Sequence, residues 1–222
     1  MRQLDQHRGS CLATPRTYAL RTSHLRGTVF AVEELIDTQA PQHRITDPAA
    51  AVQALERAIP GLAEHRRPEP APVNWPLLEE GLSTRLPGDY KLLAALYPTF
   101  TLGDFLVVGL PVPGAEHRRL RGIRGDLETV QDWWEADMSI GLRPHPAPGG
   151  LLPWAQSTQG DLFLWTTTTV EPDDWPVTVA SRNGGWWHYM GGIVQFLAEL
   201  VDGTLQPWEL PPVRPEVIAH HR

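Results

Sequence analysis

The sequence predicts an α+β domain, with a mainly antiparallel sheet flanked by helices. Between Leu151 and Gly203 four apolar runs (LLPWAQST, DLFLWTT, WPVTVAS, GGWWHYMGG) follow one another across turn residues such as Gly160-Asp161 and Pro172-Asp173-Asp174. An amphipathic helix, GIVQFLAELVDG, closes them. Upstream, apolar residues recur at spacings of three and four, so the whole reads as two helices, a strand, a helix, several strands and a final helix.

Taken in order, residues 1 to about 45 carry few periodic signals, and no acid occurs from Gln6 to Val32. Val29–Ile36 (VFAVEELI) reads as a strand or a helical turn. Asp47-Pro48 then starts a helix with the expected N-cap and first-position proline. Ala51, Val52, Leu55, Ala58 and Ile59 form its apolar stripe, and Pro60-Gly61 stops it. The segment HRRPEPAPV (65–73) reads as an extended, Pro-rich spacer, because proline fixes φ and lacks the amide donor. The expected organisation is a partly helical N-terminal extension (1–70, with a helix near 47–60), a domain at 71–205 and a C-terminal tail at 206–222.

Inside that domain Asn74 caps a short helix presenting Trp75, Leu78 and Leu82. Leu86-Pro87-Gly88-Asp89 turns into a second, with Tyr90, Leu93, Ala94 and Tyr97 on one face and Pro98 at its end. Phe105–Leu110 reads as a buried strand. DLETVQDWWEAD (126–137) reads as a helix bearing Leu127, Val130, Trp133 and Trp134, while Gly122, Gly125, Gly184 and Gly185 read as turn glycines.

Composition sets bounds. A chain of 222 residues with 41% apolar content can bury a real core. The first 70 residues hold nine Arg and eight acids, the remainder ten basic residues and eighteen acids, so the net charge of −7 resides in the C-terminal two thirds. An acidic body disfavours nucleic acid and attracts a basic partner; it is also the charge of an ordinary soluble surface. No apolar run is long enough to cross a bilayer, no signal peptide opens the chain, and Cys11 is the lone cysteine. A cytoplasmic protein without disulfides or membrane association is expected, with Cys11 an incidental thiol.

The order Trp75…Glu79-Glu80-Gly81-Leu82…Leu86-Pro87-Gly88-Asp89-Tyr90-Lys91-Leu92-Leu93 resembles the opening of the SUKH superfamily. So does the later order Leu152-Pro153-Trp154-Ala155, Gly160-Asp161-Leu162-Phe163-Leu164-Trp165, Trp175-Pro176-Val177 and a helix around Phe196-Leu197. The resemblance spans residues 72 to about 205. It departs after Tyr97, where Pro98-Thr99 replaces a Gly-containing turn. It implies an antiparallel sheet with flanking helices, no catalytic apparatus, and, as in bacterial members, service as an immunity protein that neutralises a nuclease or deaminase toxin.

The residues themselves show no catalytic, cofactor or metal signature. There is no HExxH, phosphate loop, dinucleotide fingerprint or Gly-x-Ser-x-Gly elbow. His188, in WWHYM, reads as a satisfied or half-exposed strand histidine. Adjacent acids point different ways, so Glu79-Glu80 and Asp173-Asp174 read as a solvated helix face and a polar turn. The same geometry separates Trp133 from Trp134 and Trp186 from Trp187: one of each pair can enter the core, and the other covers an element or faces a partner. The candidate partner-binding set is Asp132, Trp134, Glu135, Asp137, Asp173, Asp174 and Trp187, an aromatic centre in an acidic rim suited to a basic toxin domain. The alternative is a regulatory or scaffold module using the same surface on a resident partner.

Overall fold

The Asp47 carboxylate accepts hydrogen bonds from the Ala49 and Ala50 N–H groups, and so opens α1 (Pro48–Ala58). The computed structural model describes residues 36–168 and 171–220; Cys11 and nearly all of the VFAVEELI segment lie outside them. Ala51, Val52 and Leu55 of α1 are buried, as their spacing predicts. Asn74 caps α2 (Trp75–Leu82) through Leu77 N–H, and α3 (Gly88–Leu96) buries Tyr90, Leu93, Ala94 and Leu96. Lys91, the chain's one lysine, pairs with Glu79 and lies 5.8 Å from the Trp75 ring centroid.

Helix α4 (Glu116–Glu135) is longer than the expected 126–137. Gly122 and Gly125 lie within it rather than in a turn. Each glycine costs about 1 kcal/mol of helix propensity, a penalty exceeded by burying Leu120, Ile123 and Val130. Leu120 also explains Gly81: a Cβ there would stand 2.7 Å from the Leu120 side chain, so α2 and α4 meet only because that position is glycine. Helix α5 (Ile193–Asp202) ends at Gly203, in the left-handed region at φ 83°.

The strands are β1 (Asp37–Gln39), β2 (Thr99–Leu102), β3 (Leu106–Val108), β4 (Gly150–Ser157), β5 (Leu162–Thr167), β6 (Val177–Ala180), β7 (Trp186–Tyr189) and β8 (Val217–His220). They form one eight-stranded sheet in the order β1-β7-β6-β5-β4-β3-β2-β8. The protein is α+β. The expected antiparallel sheet is a mixed one, because β1 joins β7 in parallel while the other neighbours run antiparallel.

Alternate strand residues face opposite sides. Trp154, Phe163, Trp165, Val177, Val179, Trp187 and Tyr189 join the main core with α1, α3 and α5. Leu151, Leu162, Leu164 and Ala180 form a second cluster with Val130 of α4, which Trp133, Leu142 and Trp186 cover. Among the described residues no helix is long and apolar enough to cross a membrane.

Two organisational expectations are corrected. No domain boundary falls near residue 71, because α1 packs on α3 and α5 and its apolar face belongs to the main core. The supposed spacer is a fastening: Arg67 N–H donates to Leu96 O, its guanidinium to Ala94 O and Tyr97 O, and Ala71 N–H to Ala95 O. The end carbonyls of α3, which have no partner within the helix, are thus satisfied. Nor is 206–222 a tail, since Val217–His220 pairs with β2 as the outer strand.

Leu55→Ala and Leu93→Ala, both at fully buried positions, should each lower stability by about 2–5 kcal/mol. Urea unfolding should keep a single transition in both. A separate early transition in the Leu55→Ala variant would contradict a shared core.

Candidate functional site

The surface of interest begins where α4 runs out. Trp133 turns inward, its ring edge-on to Trp186 at 5.9 Å. Trp134, one residue on, is 38% exposed, and the Arg143 guanidinium stacks 5.3 Å from its centroid. Asp132, Glu135 and Asp137 surround it, all exposed. Among the described residues none of the three has an ion pair, and the last turn of α4 holds no basic residue. A helix C-terminus is the negative end of the helix dipole, so acids there work against stability.

The chain beyond continues in the same vein. Met138 and Ile140 are 61% and 41% exposed. Asp137 and Ile140 have φ of 57° and 50°; for β-branched Ile140 this left-handed conformation is strained, at a cost of about 1–2 kcal/mol.

Beside this patch lies a groove of about 770 Å³. Loop residues 141–149 make one wall, Ile36, Thr38 and Met190 another, and Thr166 and His188 belong to its floor. The loop is fastened by His145 N–H to Leu151 O, Leu151 N–H to Arg143 O, Gly149 N–H to Thr167 O and the His145 Nε2 contact with Leu82 O at 2.6 Å. A hydroxyl chain crosses the sheet beneath: Thr166 Oγ1 to Thr178 Oγ1 at 2.6 Å, and Thr178 Oγ1 to His188 Nδ1 at 2.9 Å.

Of the seven candidate residues, the structure brings together Asp132, Trp134, Glu135 and Asp137. Trp187 is corrected: register opposite Val179 turns it into the main core, where it is 1% exposed and its Nε1–H donates to Trp208 O, so Trp186 is the member on the other face. Asp173 and Asp174 lie apart from α4 and have internal work. Asp173 accepts from Gly88 N–H at the start of α3, and Asp174 pairs with Arg44 at 3.0 Å while lining the far end of the groove.

The sequence reading missed Asp89, taken only as part of a turn. It is half-buried, accepting from Tyr90 N–H at 2.7 Å and Val194 N–H at 3.1 Å, and so joins the N-terminal ends of α3 and α5. Gly192 makes this possible, since a Cβ there would lie 2.5 Å from the carboxylate. Among the described residues no group of three or more His, Cys, Asp or Glu is placed to hold a metal. In comparisons with known proteins, no family model matches this chain, and neither a curated protein nor a solved structure does.

Asp89 and His188 set opposing pH dependences. Burial pushes the Asp89 carboxyl from 3.8 up to about 6, against the lowering effect of the Val194 and Tyr90 N–H groups. The folded protein then retains a proton that the unfolded chain has released. Its contribution to stability is full below about pH 4 and is lost as pH rises through 6. Burial pulls the His188 ring from 6.5 down to about 4, so its contribution is full above pH 6.5 and is lost as pH falls toward 4. Each amounts to something on the order of 3 kcal/mol across the window. Relative to the parent, the urea midpoint of His188→Gln should fall more steeply as pH rises from 4 to 6.5, and that of Asp89→Asn should climb. A variant that keeps the parent's slope would remove that residue from the account.

Proposed function

We propose that this chain is a non-catalytic protein-binding module of the immunity type, which holds a basic toxin domain against the exposed end of α4. One observation carries the reading: Trp134, Met138 and Ile140 are exposed beside three acids that have no ion pair among the described residues, at a helix end where negative charge is unfavourable. The exposed apolar surface and the charge at the helix end both work against folding. Binding gains a large ring, held in place by Arg143, and a rim that speeds encounter with a positive surface. The SUKH-like motif order supports the immunity reading of the partner, and the net charge of −7 fits it. Blocking would be stoichiometric, with the acidic rim standing in for the phosphates or other anionic groups of the toxin's substrate.

Trp134→Ala should weaken partner binding by about 2 kcal/mol or more, with under about 1 kcal/mol lost from folding. The combined Asp132→Asn, Glu135→Gln, Asp137→Asn variant should gain stability, by about 0.3–1 kcal/mol per charge, while association slows and loses its salt dependence. Both are read by urea unfolding and by association kinetics with the captured partner. The deciding experiment is affinity capture from the native host followed by co-expression. A small basic protein whose toxicity this chain suppresses, and which the Trp134→Ala variant fails to suppress, is the expected result. Capture of a resident protein without any toxicity to suppress would instead establish the regulatory module.

A further inference from the structure

Along the strands, the face covered by α4 changes character. Leu162 and Leu164 of β5 give way to Thr166, Ala180 of β6 to Thr178, and Trp186 of β7 to His188. The polar positions lie where the second apolar cluster ends and the groove begins. A sheet face left to water would need no ordered chain of hydroxyls and imidazole, and one closed by packing would be apolar. This floor is neither, and its volume of about 770 Å³ falls within the roughly 300–1,000 Å³ typical of ligand pockets.

We infer that the groove is a binding site for a neutral, flat ligand bearing a carboxamide or lactam, with that group on His188 Nε2 and the ring against Ile36, Pro148, Pro176 and Met190. The ring of His188 is held through Nδ1 by Thr178, whose hydroxyl is itself held by Thr166, so Nε2 is the polar atom left for the groove. The direction of the Thr178 hydroxyl selects the tautomer. When Thr178 donates to Nδ1, Nε2–H donates; when Nδ1–H donates to Thr178, Nε2 accepts. The floor therefore meets either the carbonyl or the N–H of an amide. Thr168, also lining the groove, has a buried hydroxyl without a hydrogen-bond partner among the described residues, and a second polar atom of the ligand would satisfy it.

Charge argues for a neutral ligand. The two charged residues of the lining are already engaged, Arg143 on the Trp134 ring and Asp174 with Arg44. Burial keeps the imidazole uncharged at neutral pH. A carboxylate or ammonium entering would be desolvated against the uncharged floor of Thr166, Thr178 and His188, while the charges of the lining, Arg143 and Asp174, are held against Trp134 and Arg44. The inference is independent of partner binding at α4, since it rests on the floor and not on the acidic rim.

Benzamide, benzoate and benzamidinium are isosteric probes differing in charge. Long-range ¹H–¹⁵N spectra of the histidine rings, recorded on the full chain, should show His188 Nε2 shifting saturably with benzamide, with a Kd on the order of 1 mM as befits a fragment. The two ions should bind at least about tenfold more weakly. His188→Phe should abolish the benzamide response elsewhere in the groove. Thr38→Trp, at an exposed position of β1 that also lines the groove, should abolish it by filling the space without disturbing the core. No saturable shift at His188, equal binding of all three probes, or full binding to Thr38→Trp would overturn the assignment.

Discussion

The constraint on which this structure depends is that β4, β5 and β6 carry apolar side chains on both faces. A sheet so composed must be covered twice. One cover is the layer of α1, α3 and α5, into which Trp154, Trp165 and Trp187 project. The other is narrower: the C-terminal half of α4, reinforced by Trp133, Leu142 and Trp186, over Leu151, Leu162, Leu164 and Ala180. A single helix cannot span the width of the sheet. Where it stops, the positions on that face become threonine and histidine, buried at Thr166, Thr178 and His188, and the groove lies over them.

The proposed functional features follow from the same economy. Helix α4 has to reach over the sheet, so its end and the loop that returns to β4 project beside the groove. The junction of α4 and that loop carries the unfavourable terms: acids at a negative helix end, a β-branched residue with positive φ, exposed large apolar side chains. Elsewhere charges are matched, as Glu79 with Lys91, Glu56 with Arg66 and Asp174 with Arg44 show. The contrast between these matched charges and the rim at the end of α4 is what singles this surface out within the fold.

What was legible in the sequence was local chemistry. Asp47 and Asn74 announce their helices because a cap acts on N–H groups two or three residues away, and β4 to β7 announce themselves through apolar runs between turns. What escaped depends on distance along the chain. The edge strands β1 and β8 are three and four residues long, and only their neighbours make them strands. Arg67 looked like part of a spacer because its acceptors lie 27 and 30 residues onward. For the tryptophan pairs, adjacency says that the members diverge but not which one enters the core; register decides. The floor of the groove was present as the alternation Trp165-Thr166, Val177-Thr178 and Trp187-His188, yet nothing local marks the end of α4's cover.

Both outer strands come from opposite ends of the described chain, and so does the pairing of α1 with α5, across which Ile45 N–H meets the Gln195 side chain over 150 residues of separation. During synthesis, α1 therefore leaves the ribosome long before the surface that receives it exists. Its apolar stripe must wait, shielded or at risk, and β8 can join β2 only after the rest of the sheet has been made. A ribosome stalled before β8 is made would hold a nearly finished sheet with β2 still unpaired at its rim, a species poised to recruit a strand from another chain.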